Sequence, residues 1–100
     1  MISGFMEKQG ARFKSWKRRF AILREDGGLT YHVDDTKTKI QGEVELYPGS
    51  VAAATDDSDG HDHCLEITCP GRANARRWLF AFDDDAQRDA WIEAINQVCG

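Results

Sequence analysis

Nowhere in the 100 residues does an apolar run approach the ~20 residues that a membrane-spanning helix requires, so any contact with a bilayer would be made from its surface. The opening residues, Met1 to Lys8, lack the basic-then-apolar profile of a secretory signal. Cysteine is scarce and odd in number. Cys64, Cys69 and Cys99 build no disulfide framework and read as reduced, half-buried thiols of a cytosolic protein. The set His61, His63, Cys64 and Cys69 matches no common zinc spacing, and on one strand Cys64 and Cys69 would point to opposite faces. No serine stands in a nucleophile motif, no glycine-rich phosphate loop occurs, and HExxH is absent. Asp57 to Gly60 has the look of a calcium loop but lacks its glutamate and flanking helices. His32, His61 and His63 are scattered and read as exposed or filler residues. The reading is a non-catalytic chain with no metal and no cofactor.

Acids are missing from one segment in particular. Between Lys8 and Arg24 stand seven cations (Lys8, Arg12, Lys14, Lys17, Arg18, Arg19, Arg24) and no carboxylate. The whole chain carries a formal charge of −4, so removing those seven leaves −11 on the remainder. An acidic body with one basic edge is oriented toward an anionic partner. A solvated face is the ordinary meaning of a charge run, but a run of one sign in a chain of the other favours a functional patch.

What is present is a chain of short strands. There is room for one domain, taken as 1–100. Candidate strands cover 5–8, 16–23, 29–33, 42–46, 50–54, 64–69 and 78–82. They are separated by turn signals such as Glu25-Asp26-Gly27-Gly28, Pro48-Gly49 and Pro70-Gly71. Strands at hairpin spacing predict an antiparallel barrel or sandwich. The period then changes. Ala86, Ala90, Trp91, Ala94, Ile95 and Val98 form one apolar helical face, predicting a helix over 84–98. Asp83 to Asp85 occupy its N-cap and first turn, and Gly100 ends it. Trp16, Phe20, Trp78, Phe80 and Phe82 read as core or barrel wall.

Gly4 to Gly10 followed by Phe13 to Leu23 resembles the opening of pleckstrin-homology domains, Gly42 to Leu46 resembles that family's fourth strand, and Trp91 its helix tryptophan. The resemblance runs over nearly the whole chain. It implies a mainly β fold: a seven-stranded antiparallel barrel of two sheets, capped by one C-terminal helix with Trp91 in the core. It also implies a phosphate pocket between the first two strands and their loops. Members that bind 3-phosphorylated inositides carry a basic residue in the first strand and Lys/Arg-x-Arg in the second, positions filled here by Lys8, Lys17 and Arg19. Tyr31 matches a phosphate-contacting tyrosine. Two departures stand out: Gln41, with Lys39 two residues earlier, where strong binders place an arginine, and Ala21 where a bulky residue is usual.

On a strand, Lys17 and Arg19 point to one face, where they can grip neighbouring phosphates of an inositol ring. Arg19 offers a bidentate fork, while lysines act as point charges. Arg12, Lys14 and Arg18 form a cationic rim toward the membrane. Phe13, between two of them, either dips into the headgroup region or folds back onto the barrel. Arg72, Asn74, Arg76 and Arg77 are further candidates for touching a phosphate. The partner expected is an anionic phosphoinositide membrane carrying the 3,4,5-trisphosphate or 3,4-bisphosphate, with a monomeric cytoplasmic protein recruited peripherally. The alternative is a protein-interaction domain with weak or no lipid binding. Nucleic acid is disfavoured by the overall acidity and the confinement of cations to one hairpin.

Overall fold

A computed structural model of the chain describes residues 2–10, 15–56 and 60–100. The elements run β1 (Ile2–Gln9), β2 (Trp16–Leu23), β3 (Leu29–His32), β4 (Ile40–Val44), β5 (Val51–Thr55), β6 (Cys64–Thr68), β7 (Trp78–Ala81) and α1 (Asp85–Cys99). The order and type match the sequence expectation, and β2 has the predicted bounds. β1 begins at Ile2 rather than Phe5, because Ile2, Ser3 and Gly4 continue the ladder against Leu23, Ile22 and Ala21. β4 lies two residues earlier than predicted. An irregularity after Tyr31 places Gly42 opposite Tyr31 and Ile40 opposite His32, so the strand ends at Val44. Gly27, with φ +92°, makes the tight β2–β3 turn, which a side chain would strain.

All pairings are antiparallel, in the order β4-β3-β2-β1-β7-β6-β5. Two layers, β1 to β4 and β5 to β7, join through Glu7 against Ala81 and Lys8 against Phe80. The two-sheet barrel is thus one hydrogen-bonded sheet turned at the β1–β7 corner. Inside lie Leu23, Leu29, Leu65, Phe80 and Ile95, all but fully buried. Removing such side chains from water is the main favourable term in folding.

Asp84 caps α1, its carboxylate accepting the Gln87 amide at 2.8 Å, and the Gly100 amide closes the other end on the Asn96 carbonyl at 2.9 Å. The buried stripe of the helix is Trp91, Ile95 and Cys99, a clean i, i+4, i+8 row. It is rotated from the predicted face: Ala86 and Ala90 are exposed, and Val98 is 38% exposed. Trp91 stacks on Phe82 with ring centres 5.8 Å apart. Asn96 fixes the helix to the sheet edge, accepting from the Ala52 amide at 2.9 Å and donating to the Ala52 carbonyl at 3.0 Å.

Candidate functional site

Residues directly opposed across an antiparallel pair share a face of the sheet. Met6 opposes Arg19, Lys8 opposes Lys17, and Gly4 opposes Ala21, which in turn opposes Tyr31. Met6 and Ala21 are buried, so this face is the concave one. Lys8, Lys17, Arg19 and Tyr31 therefore all project from the inside of the sheet, the three cations beside the β1–β2 connection. The core stops at Met6; one step further along β1 the inward position is a cation.

The mouth is built on aromatic rings. The Lys8 ammonium lies 4.8 Å from the centre of the Tyr31 ring and 5.3 Å from that of Trp78. The Arg76 guanidinium covers Trp78 at 3.5 Å and donates to the Gln9 carbonyl at 3.4 Å. The faces of these rings attract cations. Tyr31 is held in turn by Gly42, because a Cβ at that position would overlap its hydroxyl and ring. Ala21 is fully buried directly across the ladder from Tyr31, so the small residue noted in β2 is the cross-strand neighbour of this tyrosine.

The electrostatics are those of a site short of anions. Lys8 is pushed down from 10.5 to about 8, by burial first and then by the positive charges of Arg76 and Arg19. Burial lowers Arg76 as well. The Nε of Arg76 is buried and finds no acceptor among the described residues. None of Lys8, Lys17, Arg19 and Arg76 pairs with a described carboxylate within 4 Å. Two lysines directly opposed on one face destabilise the sheet, and here nothing described offsets them. Such an arrangement suits a polyanion. The open space alongside is a cleft of about 510 Å³ between Tyr31 and Gly42 on one wall and Ile67, Cys69, Arg76 and Trp78 on the other, with Glu43 and Glu45 on its β4 side.

The remaining candidates separate. Arg18 lies on the opposite face of β2 from Lys17 and Arg19, its guanidinium 4.3 Å from the centre of the Phe5 ring. Lys39 is exposed just before β4 and is not among the groups acting on Lys8. Arg12, Phe13 and Lys14 lie outside the described residues. Of the β6–β7 cations only Arg76 turns to the mouth. Arg72 stacks on Tyr47 at 3.9 Å, and Arg77 pairs with Glu66 at 2.5 Å. Arg76 was legible only as one cation of a basic loop, and Trp78 read as core without its role as a cation platform.

Two histidines are not filler. His61 stacks on Trp16 with ring centres 4.0 Å apart, and its Nε2 is 3.2 Å from Glu7. His63 meets Asp85 at 2.7 Å, joining the β5–β6 loop to the start of α1. His32 is buried, with Nε2 3.1 Å from the Thr30 hydroxyl. The partners of His61 and His63 are far off in sequence, and spacing does not reveal them, whereas Thr30 and His32 share a face of β3 by strand parity.

The fold is that of a known class. The family model of the PH domain matches residues 1–100, and the chain belongs to that family. It is a non-catalytic module of a kind that serves lipid or protein interaction. Mouse diacylglycerol kinase eta is 30% identical over 95 residues, covering 95% of this chain and 7% of that kinase. The RAC family serine/threonine-protein kinase homolog of Dictyostelium discoideum is 28% identical over 92 residues, covering 92% of this chain and 19% of the relative. The chain thus spans a small part of the curated relatives it matches. Among solved structures, the C-terminal PH domain of pleckstrin in complex with D-myo-Ins(1,2,3,4,5)P5 superposes with a TM-score of 0.81 at 26% identity, over 100% of this chain and 98% of that one. The same domain with D-myo-Ins(1,2,3,5,6)P5 gives 0.82 at 28% identity, over 100% and 95%.

Proposed function

We propose that this PH domain binds the headgroup of an inositol phospholipid carrying a 3-phosphate, the 3,4,5-trisphosphate or the 3,4-bisphosphate, and so recruits the protein from the cytoplasm to the membrane surface. The observation that carries the reading is the convergence of Lys8, Lys17, Arg19 and Arg76 at one mouth with no described carboxylate pairing any of them. Lys17 and Arg19 take adjacent phosphates from β2, Lys8 takes one from β1, and Arg76 closes from the other layer. Tyr31 and Trp78 hold the two half-buried cations in place, and Tyr31 adds a hydroxyl donor. Charge-assisted hydrogen bonds contribute roughly 1.5–3 kcal/mol each, so three or four correspond to a micromolar affinity after ordering costs. Support from kinship comes from pleckstrin's C-terminal PH domain, whose structures hold inositol pentakisphosphates.

The test is calorimetry of the soluble headgroups Ins(1,3,4,5)P4, Ins(1,3,4)P3 and Ins(1,4,5)P3 against the chain and its Lys17→Ala/Arg19→Ala variant. The 3-phosphorylated forms are expected to bind more tightly than Ins(1,4,5)P3, and the variant to lose that preference while keeping its circular dichroism. Equal binding of all three, or a preference unchanged in the variant, overturns the assignment.

A further inference from the structure

At the mouth an amine and a shortage of anions coincide. Lys8 is half-buried on β1, its ammonium against the rings of Tyr31 and Trp78. Arg76 and Arg19 act on it with like charge, and Lys17 opposes it across the ladder. None of the four cations pairs with a described carboxylate within 4 Å, and the buried Nε of Arg76 finds no acceptor among the described residues. A lysine removed from water and set beside other cations gives up its proton readily, and its neutral amine is a nucleophile. With Lys8 lowered to about 8, about a fifth of it is neutral at about pH 7.4, against about one in a thousand for an ordinary lysine. The cleft of about 510 Å³ shares Tyr31, Trp78 and Arg76 with the surroundings of this amine. A three-atom molecule entering there has only those side chains between itself and Lys8.

We propose that Lys8 is a modification site for carbon dioxide: its neutral amine adds dissolved CO2, and the resulting carbamate is held by Arg76, Arg19 and Lys17. The nitrogen lone pair attacks the carbon, one C–O π pair moves onto oxygen, and the N–C bond forms. The surplus proton on nitrogen passes to water or bicarbonate. One neutral amine and one carbon dioxide give one carbamate anion and one proton, and nothing is oxidised or reduced. Counted from the ammonium, the end of Lys8 passes from +1 to −1. The mouth thereby gains the anion it lacks from its own chain. A carbamate presents the two oxygens of a carboxylate, which a guanidinium takes by parallel N–H bonds. Where the mouth takes a headgroup, the carbamate stands in the place of a phosphate and repels one, so carbon dioxide becomes a regulator of binding. That consequence rests on the lipid reading; the carbamate itself does not.

The test is to equilibrate the chain near neutral pH with carbon-13 bicarbonate and carbon dioxide and record the carbon spectrum. The carbamate is then trapped as its ethyl ester with triethyloxonium and located by tandem mass spectrometry. The expected product is an ethyl carbamate on Lys8, lost in Lys8→Arg together with its carbon resonance, and suppressed when Ins(1,3,4,5)P4 is bound. Calorimetry should show that headgroup binding several-fold weaker in carbon dioxide than in chloride of equal ionic strength, a difference absent from Lys8→Arg. A carbamate found only on the α-amino group, or spread evenly over the lysines, overturns the proposal. So does a Lys8 carbamate whose yield a bound headgroup leaves unchanged. A trapped Lys8 carbamate in a chain that binds no headgroup under either gas condition supports the modification and removes the lipid reading.

Discussion

Lys8 and Arg76, sixty-eight positions apart in the chain, share one aromatic partner: the ammonium is 5.3 Å and the guanidinium 3.5 Å from the centre of the Trp78 ring. Two like charges on one ring, both half-buried, are held close by the fold against their mutual repulsion. An anion between them relieves that repulsion. Arg76→Ala should therefore weaken headgroup binding as much as Arg19→Ala does, each by roughly 10–100-fold, the effect of losing one charge-assisted contact. Liposome co-sedimentation checks this, with far-UV circular dichroism as the fold control. Unaltered binding of Arg76→Ala would confine the site to the β1–β2 hairpin.

The depressed Lys8 gives binding a pH profile. With its free value at about 8, the ammonium is intact near neutrality, and a polyphosphate, preferring the charged form, raises that value on binding. Above pH 8 the free protein must take up a proton to bind, so affinity should fall by up to about tenfold per pH unit. The unliganded fold shows the opposite trend. The unfolded chain keeps an ordinary lysine near 10.5, so between 8 and 10.5 it holds more protons than the native state, and this group makes stability rise with pH. Lys8→Met should remove both effects. Calorimetry between about pH 7 and 9.5 reads the first, and thermal unfolding over the same range the second.

Gly42 is predicted to be intolerant for a reason specific to the site. A methyl group there overlaps the Tyr31 ring, so Gly42→Ala must displace that ring and the Lys8 ammonium above it. A loss of about 1–3 kcal/mol of stability is expected from the overpacking. Affinity should fall beyond what the stability loss explains. Combining Gly42→Ala with Tyr31→Ala should restore stability without restoring affinity.

Asn96 supplies the edge strand β5 with the two backbone bonds that a neighbouring strand would make at Ala52. Asn96→Ala leaves a donor and an acceptor half-buried without partners, at a cost of about 1–3 kcal/mol. The bared edge is also a template for pairing with another chain. Lower melting temperature together with concentration-dependent association by light scattering is the expected result; association unchanged from the parent would show that the edge is protected otherwise.

The parts of this molecule legible in the sequence are those written in local pattern. Strand alternation, the Asp26-Gly27-Gly28 turn and the Asp84 cap each act within a few residues, and each element was found with ends shifted by three residues or fewer. Lys17 and Arg19 share a face because strand parity puts them there, which spacing alone can tell; Lys8 joins them through the β1–β2 register, and only the family resemblance pointed to it in the sequence. Arg76 needs more. Its place depends on the β1–β7 pairing and on Trp78, contacts made only after the chain has closed on itself. The predicted helix face held Trp91 and Ile95 of the buried stripe but also took in the exposed Ala86, Ala90 and Val98, because apolar residues count toward a face whether or not anything covers them, while Cys99, at the far end, was read as a thiol rather than as core.

The corner where Lys8 lies opposite Phe80 is the only place among the described residues where the two layers share a ladder. The first cation of the mouth is therefore also part of the seam. A partly unfolded form with one layer melted would scatter the charges, leaving Arg76 on one piece and Lys17 and Arg19 on the other. Recognition and integrity of the barrel thus rise and fall together, and a membrane displaying the right headgroup would select whole molecules over damaged ones.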